Sequence, residues 1–303
     1  MSIEAHDWLD HLRDVRRLSD ATIRSYRRDL AAWSAFLAEQ GIGEGEATRG
    51  EARMFMTRMS SRHMAPATVN RRLSALKGYY EWRRRRFPEA ENPFVGSKTV
   101  KKGRRLPGYL THGEIEAFLE RTGDDFIGLR DRVLFELLYS TGCRVGELCS
   151  LDVSDVVRRQ VRVRGKGDRD RMVFIGANAA RVLEDYLPLR LENACGDTDS
   201  RRALILDAAG HRLTTRGVYY LIRRYSALVG IDKKVTPHTF RHSFATHILD
   251  EGADIRTVQE LLGHASLSTT QIYTHTGIER IKRVYRSSHP HARSAEANGG
   301  IHG

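Results

Sequence analysis

Cysteine is scarce in this chain: three in 303 residues, Cys143, Cys149 and Cys195, with no CxxC pair among them. That excludes a disulfide framework and a thiolate zinc site, and the thiols are expected to stay reduced and pack as small apolar groups. Long apolar runs are missing too. Nothing approaches the roughly 18–20 uninterrupted residues of a bilayer-spanning helix. The opening stretch MSIEAHDWLDHL carries acid where a secretory leader needs a basic start and an apolar core, so a cytoplasmic protein is expected. There is no internal repeat and no low-complexity block. Lysine is the rare cation, eight residues against 42 arginines.

What the chain does have is positive charge, unevenly placed. Fifty Lys and Arg face 38 Asp and Glu, a net +12, and residues 49–105 alone hold 16 basic and 4 acidic side chains. The whole surplus therefore lies in that window. Such a concentration suits the phosphates of a nucleic acid or another anionic surface, or simply a solvated face. The length allows two domains, each with its own core.

Apolar spacing supplies the architecture. After Ser19, an N-cap, Ile23, Tyr26, Leu30, Trp33 and Leu37 fall at steps of three and four, a stripe closed by Gly41, with Arg24, Arg27 and Arg28 off it. A second stripe uses Val69, Leu73, Leu76 and Tyr80, flanked by Arg71, Arg72 and Lys77, and ends in Arg83, Arg84, Arg85 and Arg86. Shorter stretches near 4–14 and 50–60 complete a four-helix unit over 1–87. FPEAENPFVGSKTVKKGRRLPG, with three prolines and three glycines, reads as a basic linker over 88–108 that includes Lys101 and Lys102.

Beyond the linker, Thr111 with Glu114 is a capping-box pattern, and a helix from Leu129 to Ser140 stops at Gly142. VRVRGKGDRDRMVFI alternates as a β-hairpin. Helical patterns return near 178–193, 214–229, 238–250 and 254–262. The second domain is thus 109–290, followed by a polar tail over 291–303. The fold class is mainly α with a small β-sheet.

Four clusters could carry chemistry. In STGCRVGEL, Arg144 follows a glycine stop, where a guanidinium and free backbone N–H groups can converge on a phosphate, and Glu147 one turn on can orient it. Lys166 lies in the glycine-flanked hairpin turn, an ordinary turn residue or a proton donor. In PHTFRHSFATH, His238 and Arg241 are i, i+3 neighbours, with Phe240, Phe244, Ile248 and Leu249 expected on the buried side. In LLGHASLSTTQIYTH, His264 precedes Tyr273, which needs cationic neighbours to attack phosphorus because its phenolate is about one part in a thousand at neutral pH. A zinc site on His238, His242, His247 and His264 lacks both a cysteine and the HExxH glutamate. With no carboxylate cluster for magnesium, fixed cations are the available means of stabilising phosphoryl transfer.

TGCRVGEL, GKGDRDR, HTFRHSFATH, LLGHASLSTTQIYTH and HPHAR, in this order and spacing, resemble the tyrosine recombinases of the phage-integrase family, and among them the Xer type. The resemblance covers almost the whole chain. It implies an N-terminal core-binding domain and a C-terminal α+β catalytic domain that cuts and rejoins DNA without metal or cofactor. By position, Tyr273 matches the nucleophile forming a 3′-phosphotyrosyl bond, and Arg144, Arg241 and His264 match the contacts to the scissile phosphate. His238 matches the residue assisting proton transfer, Lys166 the donor to the departing 5′-oxygen, and Glu147 a supporting acid.

The resemblance further implies two rounds of exchange through a Holliday junction by four subunits on two duplexes. A heterotetramer with a second Xer-type recombinase and control by an FtsK-type translocase come with it, as does the resolution of chromosome dimers at cell division. In that assembly a C-terminal helix touches a neighbour, here with Ile278, Ile281 and Val284 as its apolar contacts, the alternative being that this segment folds back on its own domain. The alternative within the family is the integrase or resolvase of a phage or mobile element; the short N-terminus, with no arm-binding domain, and HPHAR favour the Xer type. Outside the family, a non-catalytic DNA-binding protein and a metal-dependent nuclease are the competing readings. Arg71, Arg72, Lys77, Arg83, Arg84, Arg85, Arg86, Lys101 and Lys102 are the expected DNA-holding cations.

Overall fold

Four helices and the segment after them build the first of two compact units, Met1–Arg104 and Arg105–Gly303. The computed structural model describes residues 1–100, 108–157, 159–164, 170–263 and 283–292. The helices of the first unit are α1 (Ile3–Asp14), α2 (Asp20–Ala38), α3 (Arg49–Ser61) and α4 (Pro66–Arg86). Their starts follow from local chemistry. Ser2 and Ser19 cap α1 and α2, Thr48 and Glu51 form a capping box on α3, and Pro66 opens α4.

The expected stripes face inward: Ile23, Leu30, Trp33 and Leu37 of α2 and Val69, Leu73, Leu76 and Tyr80 of α4 are buried, and half-buried Tyr26 stacks on Trp8. Trp33 is the hub, with Phe55 and Phe94 each edge-on at 5.0 Å, and its indole N–H donates to the Tyr80 hydroxyl at 2.8 Å.

Phe94 lies in the stretch expected to be a linker. Through Val100 that stretch is part of the first unit: Phe94 is fully buried, Lys77 Nζ donates to the Ser97 carbonyl at 2.6 Å, and the Asn70 side chain pairs with the Val100 backbone. Proline and glycine content marked an irregular chain correctly, but it does not reveal that one aromatic closes a core.

In the second unit, α5 (His112–Glu120) carries the expected capping box, and α6 (Phe126–Thr141) is buried on nearly every side. A helix apolar or paired all round is the centre of a domain. Around α6 pack the short α7 (Val145–Cys149), α8 (Ala177–Asn193) and α11 (Pro237–Asp250); α9 (Thr198–Arg202), α10 (Thr215–Leu228) and α12 (Ile255–Leu262) complete the described helices before 283–288. The antiparallel sheet runs β1 (Val156–Val157), β2 (Gln160–Arg164), β3 (Asp170–Phe174), with Val161 opposite Val173 and Val163 opposite Arg171.

On α11, Phe240, Phe244 and Ile248 are buried as expected, whereas Leu249 is exposed. Steps of four keep 240, 244 and 248 on one face, and 249 lies about 100° further round. His247 takes an inward place instead, its Nδ1 2.8 Å from the Tyr139 hydroxyl. Burial holds His247 neutral, at a pKa of about 4. The described end of the chain folds back on its own unit: Tyr285 and His289 are buried, and Val284 is half-buried. Ile278 and Ile281 lie outside the described residues.

Candidate active site: arginines around a buried carboxylate

α6 ends because Gly142 adopts φ 58°, a left-handed conformation that favours glycine. A Cβ at that position would stand 2.6 Å from Phe244 Cδ1, so packing forbids it as well. The chain turns there and restarts as α7, with Arg144 as its N-cap.

Glu147, in the first turn of α7, reaches back. Its Oε2 accepts the Arg144 backbone N–H at 2.9 Å, and its Oε1 accepts from Arg144 Nη1 at 2.9 Å. From β3 comes Arg171, whose Nη1 and Nη2 donate to Oε1 and Oε2 at 3.0 and 2.7 Å. Glu147 is only 8% exposed. Burial alone would raise its pKa, but the bonds from Arg171 and Arg144 overcome that and hold it at about 2. It is a carboxylate at every physiological pH.

Arg241 approaches from α11. Its Nη1 donates to the Gly142 carbonyl at 2.6 Å and its Nη2 to the Leu262 carbonyl at 2.8 Å. These oxygens close the C-termini of α6 and α12, so one guanidinium ties two helix ends that have no partner within their own helices. Burial, and then the nearby charges of Arg144 and Arg171, bring its pKa down to about 10. Among the described residues, Arg144 and Arg171 bond the carboxylate and Arg241 stands near them, three positive charges to one negative. The Arg144 side chain remains 45% exposed, which leaves donors facing outward. A site of this kind lowers its own repulsion by taking an oxyanion.

Of the residues expected to carry chemistry, the structure brings Arg144, Glu147 and Arg241 together. His238 is exposed in the first turn of α11, one turn before Arg241. Lys166, His264 and Tyr273 lie outside the described residues, as do Lys101 and Lys102. Among the described residues no group of three metal-ligating side chains converges. Arg171 was missed. Its signal was parity: it shares the inward face of β3 with Val173, opposite buried Val163, and an arginine in such a place implies a buried carboxylate.

The expected DNA-holding cations divide. Arg71 and Arg72 both bond Asp29, which is fully buried. Arg83 Nε donates to Glu4 at 2.6 Å, and Lys77 serves the Ser97 carbonyl. These four face intramolecular partners. Arg84, Arg85 and Arg86 are exposed at the end of α4, and Arg24, Arg27 and Arg28 are exposed on α2.

A helical unit with outward arginines and a second unit that gathers three guanidinium groups define the class: a basic protein whose charged cluster suits an oxyanion such as phosphate. Comparison with known proteins narrows the class. The phage integrase family matches residues 108–280, and its N-terminal SAM-like domain matches residues 5–86. The tyrosine recombinase XerC of Listeria innocua serovar 6a is 38% identical over 290 residues, covering 94% of this chain and 97% of that one. The tyrosine recombinase XerD of Oceanobacillus iheyensis is 36% identical, covering 94% and 98%.

Among solved structures, the XerH site-specific recombinase bound to a palindromic difH substrate superposes with a TM-score of 0.69 at 22% identity, covering 93% and 83%. The Tn1549 transposon integrase in complex with transposon right end DNA gives 0.69 at 19% identity, covering 92% and 98%. The chain belongs to the phage integrase family, the tyrosine recombinases, and its activity is site-specific recombination.

Proposed function

We propose that this recombinase cuts and rejoins duplex DNA through a 3′-phosphotyrosyl bond to Tyr273. The observation that carries the reading is the cluster of Arg144, Arg171 and Arg241 around Glu147, a fixed positive site matched to the charge that spreads over phosphate oxygens during transfer. Arg144 and Arg241 clamp the scissile phosphate, with His264 as a third contact. Tyr273 Oη attacks phosphorus, the bond to the 5′-oxygen breaks, and Lys166 protonates that oxygen while His238 assists proton transfer. A free 5′-hydroxyl from the partner duplex then reverses the step.

Two such rounds pass through a Holliday junction on four subunits, with a second Xer-type recombinase as the other half of the set and an FtsK-type translocase as its regulator. Recombination of this kind resolves chromosome dimers at cell division, in the cytoplasm. The names of the curated relatives, XerC and XerD, and the DNA present in the complexes of XerH and of the transposon integrase support the reading.

The test is a nicked duplex that traps the covalent intermediate. The wild-type chain yields a protein–DNA adduct in excess EDTA, and Tyr273→Phe binds the duplex but yields none. An adduct that survives Tyr273→Phe would refute the assignment.

A further inference from the structure

Arg171 belongs to the positive cluster, yet no contact to the phosphate or proton transfer in the proposed reaction is its own. We propose that Arg171 is a positioning residue for strand cleavage: through Glu147 it fixes the direction in which Arg144 presents its guanidinium to the phosphate. The proposal rests on the reading of the cluster as a phosphate clamp.

Geometry assigns the indirect role. Arg171 bonds both oxygens of Glu147 through both terminal nitrogens, an arrangement that fixes the plane of the carboxylate as well as its place. On that fixed plane Oε1 also accepts the Arg144 side chain, and Oε2 accepts the Arg144 backbone N–H. Arg144 is therefore held to an acceptor that cannot turn. Arg171 is itself 9% exposed with its two terminal nitrogens engaged, which sets it behind the clamp.

Its stem lies close to a second part of the site. Gly263 caps α12 with φ +67°, and a Cβ there would stand 2.8 Å from Arg171 Cδ. The adjoining Leu262 carbonyl is the one that anchors Arg241. One side chain thus touches the carboxylate that aims the first arginine and the helix end that seats the second. A positional error of about 1 Å in such a clamp costs on the order of 100-fold in rate.

The test uses the full chain and the nicked duplex, with Arg171→Met, Arg171→Lys, Glu147→Gln and the double variants. Expected is a loss of about 100-fold in the rate of adduct formation for Arg171→Met, with duplex affinity held within about threefold. Arg171→Lys recovers little of it, because an ammonium cannot bridge two oxygens as a fork does. The double variant Arg171→Met/Glu147→Gln is no slower than the slower single, since both changes break one linkage.

A fourth readout is the pH–rate profile. Among the described residues, the groups facing Glu147 are Arg144 and Arg171, with Arg241 and Cys143 close by. Without the fork the buried carboxyl titrates upward, so Arg171→Met acquires an acid limb that the wild type lacks. Losses that multiply, affinity that falls in step with rate, or an unchanged acid side would each overturn the proposal. Should Arg171→Met fail to fold, the cycle with Arg171→Lys gives the same decision. An absent wild-type adduct refutes the clamp reading, whereas a wild-type adduct that Arg171→Met leaves at full rate refutes this inference alone.

Discussion

Asp29 lies buried between Arg71 and Arg72 in the first unit and Glu147 between Arg144 and Arg171 in the second, and the two titrate in opposite directions. Burial lifts Asp29 above the ordinary range in spite of both arginines, while Glu147 is held at about 2. Asp29 receives one bond from each arginine, that from Arg72 at 3.3 Å, whereas Glu147 receives four, one of them from a backbone N–H. Donor number and alignment decide the sign. The consequence is functional. In the first unit both arginines bond the carboxylate and fasten α2 to α4; in the second, Arg241 is not bonded to the carboxylate and the Arg144 side chain stays 45% exposed, and these are the two groups proposed to take the phosphate.

The contrast is broken most directly by removing one guanidinium from the second cluster. Arg241→Lys keeps the charge but cannot reach two carbonyls and a phosphate together, and adduct formation should fall by about 100–1000-fold while duplex affinity changes little. Single-turnover cleavage against a binding titration measures both. The matching change in the first unit, Asp29→Ala, leaves two inward arginines without their carboxylate. It should cost roughly 3 kcal/mol of unfolding free energy, because Arg71 can turn to solvent and Arg72 cannot follow fully. The folded fraction should still cleave at the wild-type rate. Denaturant melts paired with cleavage assays would expose any crossover, and a cleavage defect in Asp29→Ala would remove the distinction.

Acid sharpens the comparison next. His247 and His289, buried and neutral, are lowered to about 4 and about 3, so between pH 6.5 and these values the unfolded chain binds more protons than the folded one. The second unit therefore loses stability as pH falls through that window. Glu147 adds a further loss from about pH 4.5 towards 2. In the first unit the raised Asp29 works the other way and offsets part of the loss through the lowered Glu44, as the raised Asp131 offsets part of the Glu147 loss in the second, so the unmatched loss there is that of the two histidines. All three tryptophans, Trp8, Trp33 and Trp82, lie in the first unit, so their fluorescence reports on it alone. On acidification circular dichroism should fall before tryptophan emission shifts; coincident or reversed transitions would contradict the assignment.

Legibility in the sequence followed the range of the interaction. Stripes such as Ile23, Leu30, Trp33 and Leu37, the capping box of Thr111, and the adjacency of Arg144 with Glu147 depend on residues within a turn or two of each other, and they could be read. The Arg171–Glu147 fork depends on a hairpin register meeting a helix 24 residues away, and the place of Phe94 depends on a gap left by other helices. Neither distance is written in local spacing. The basic window shows the same limit: Arg71, Arg72 and Arg83 count as surplus charge within residues 49–105, while their partners Asp29 and Glu4 lie outside those residues.

The smallest expected effect follows from that division and is the most discriminating for the first unit. Arg84 and Arg85 have 58% and 77% exposed side chains and only weak surface pairing with Glu81. If they contact phosphate, Arg84→Gln and Arg85→Gln should each lower the slope of log affinity against log salt by about 1 and leave thermal stability unchanged. Arg72→Gln should do the reverse, lowering the melting temperature with the slope intact. Affinity titrations at several salt concentrations, alongside melts, separate the two. An Arg72→Gln variant that flattened the slope as much as Arg85→Gln would place phosphate on the inward side of α4. Asp29 would then be a carboxylate that aims arginines at DNA, and the two clusters would differ only in degree.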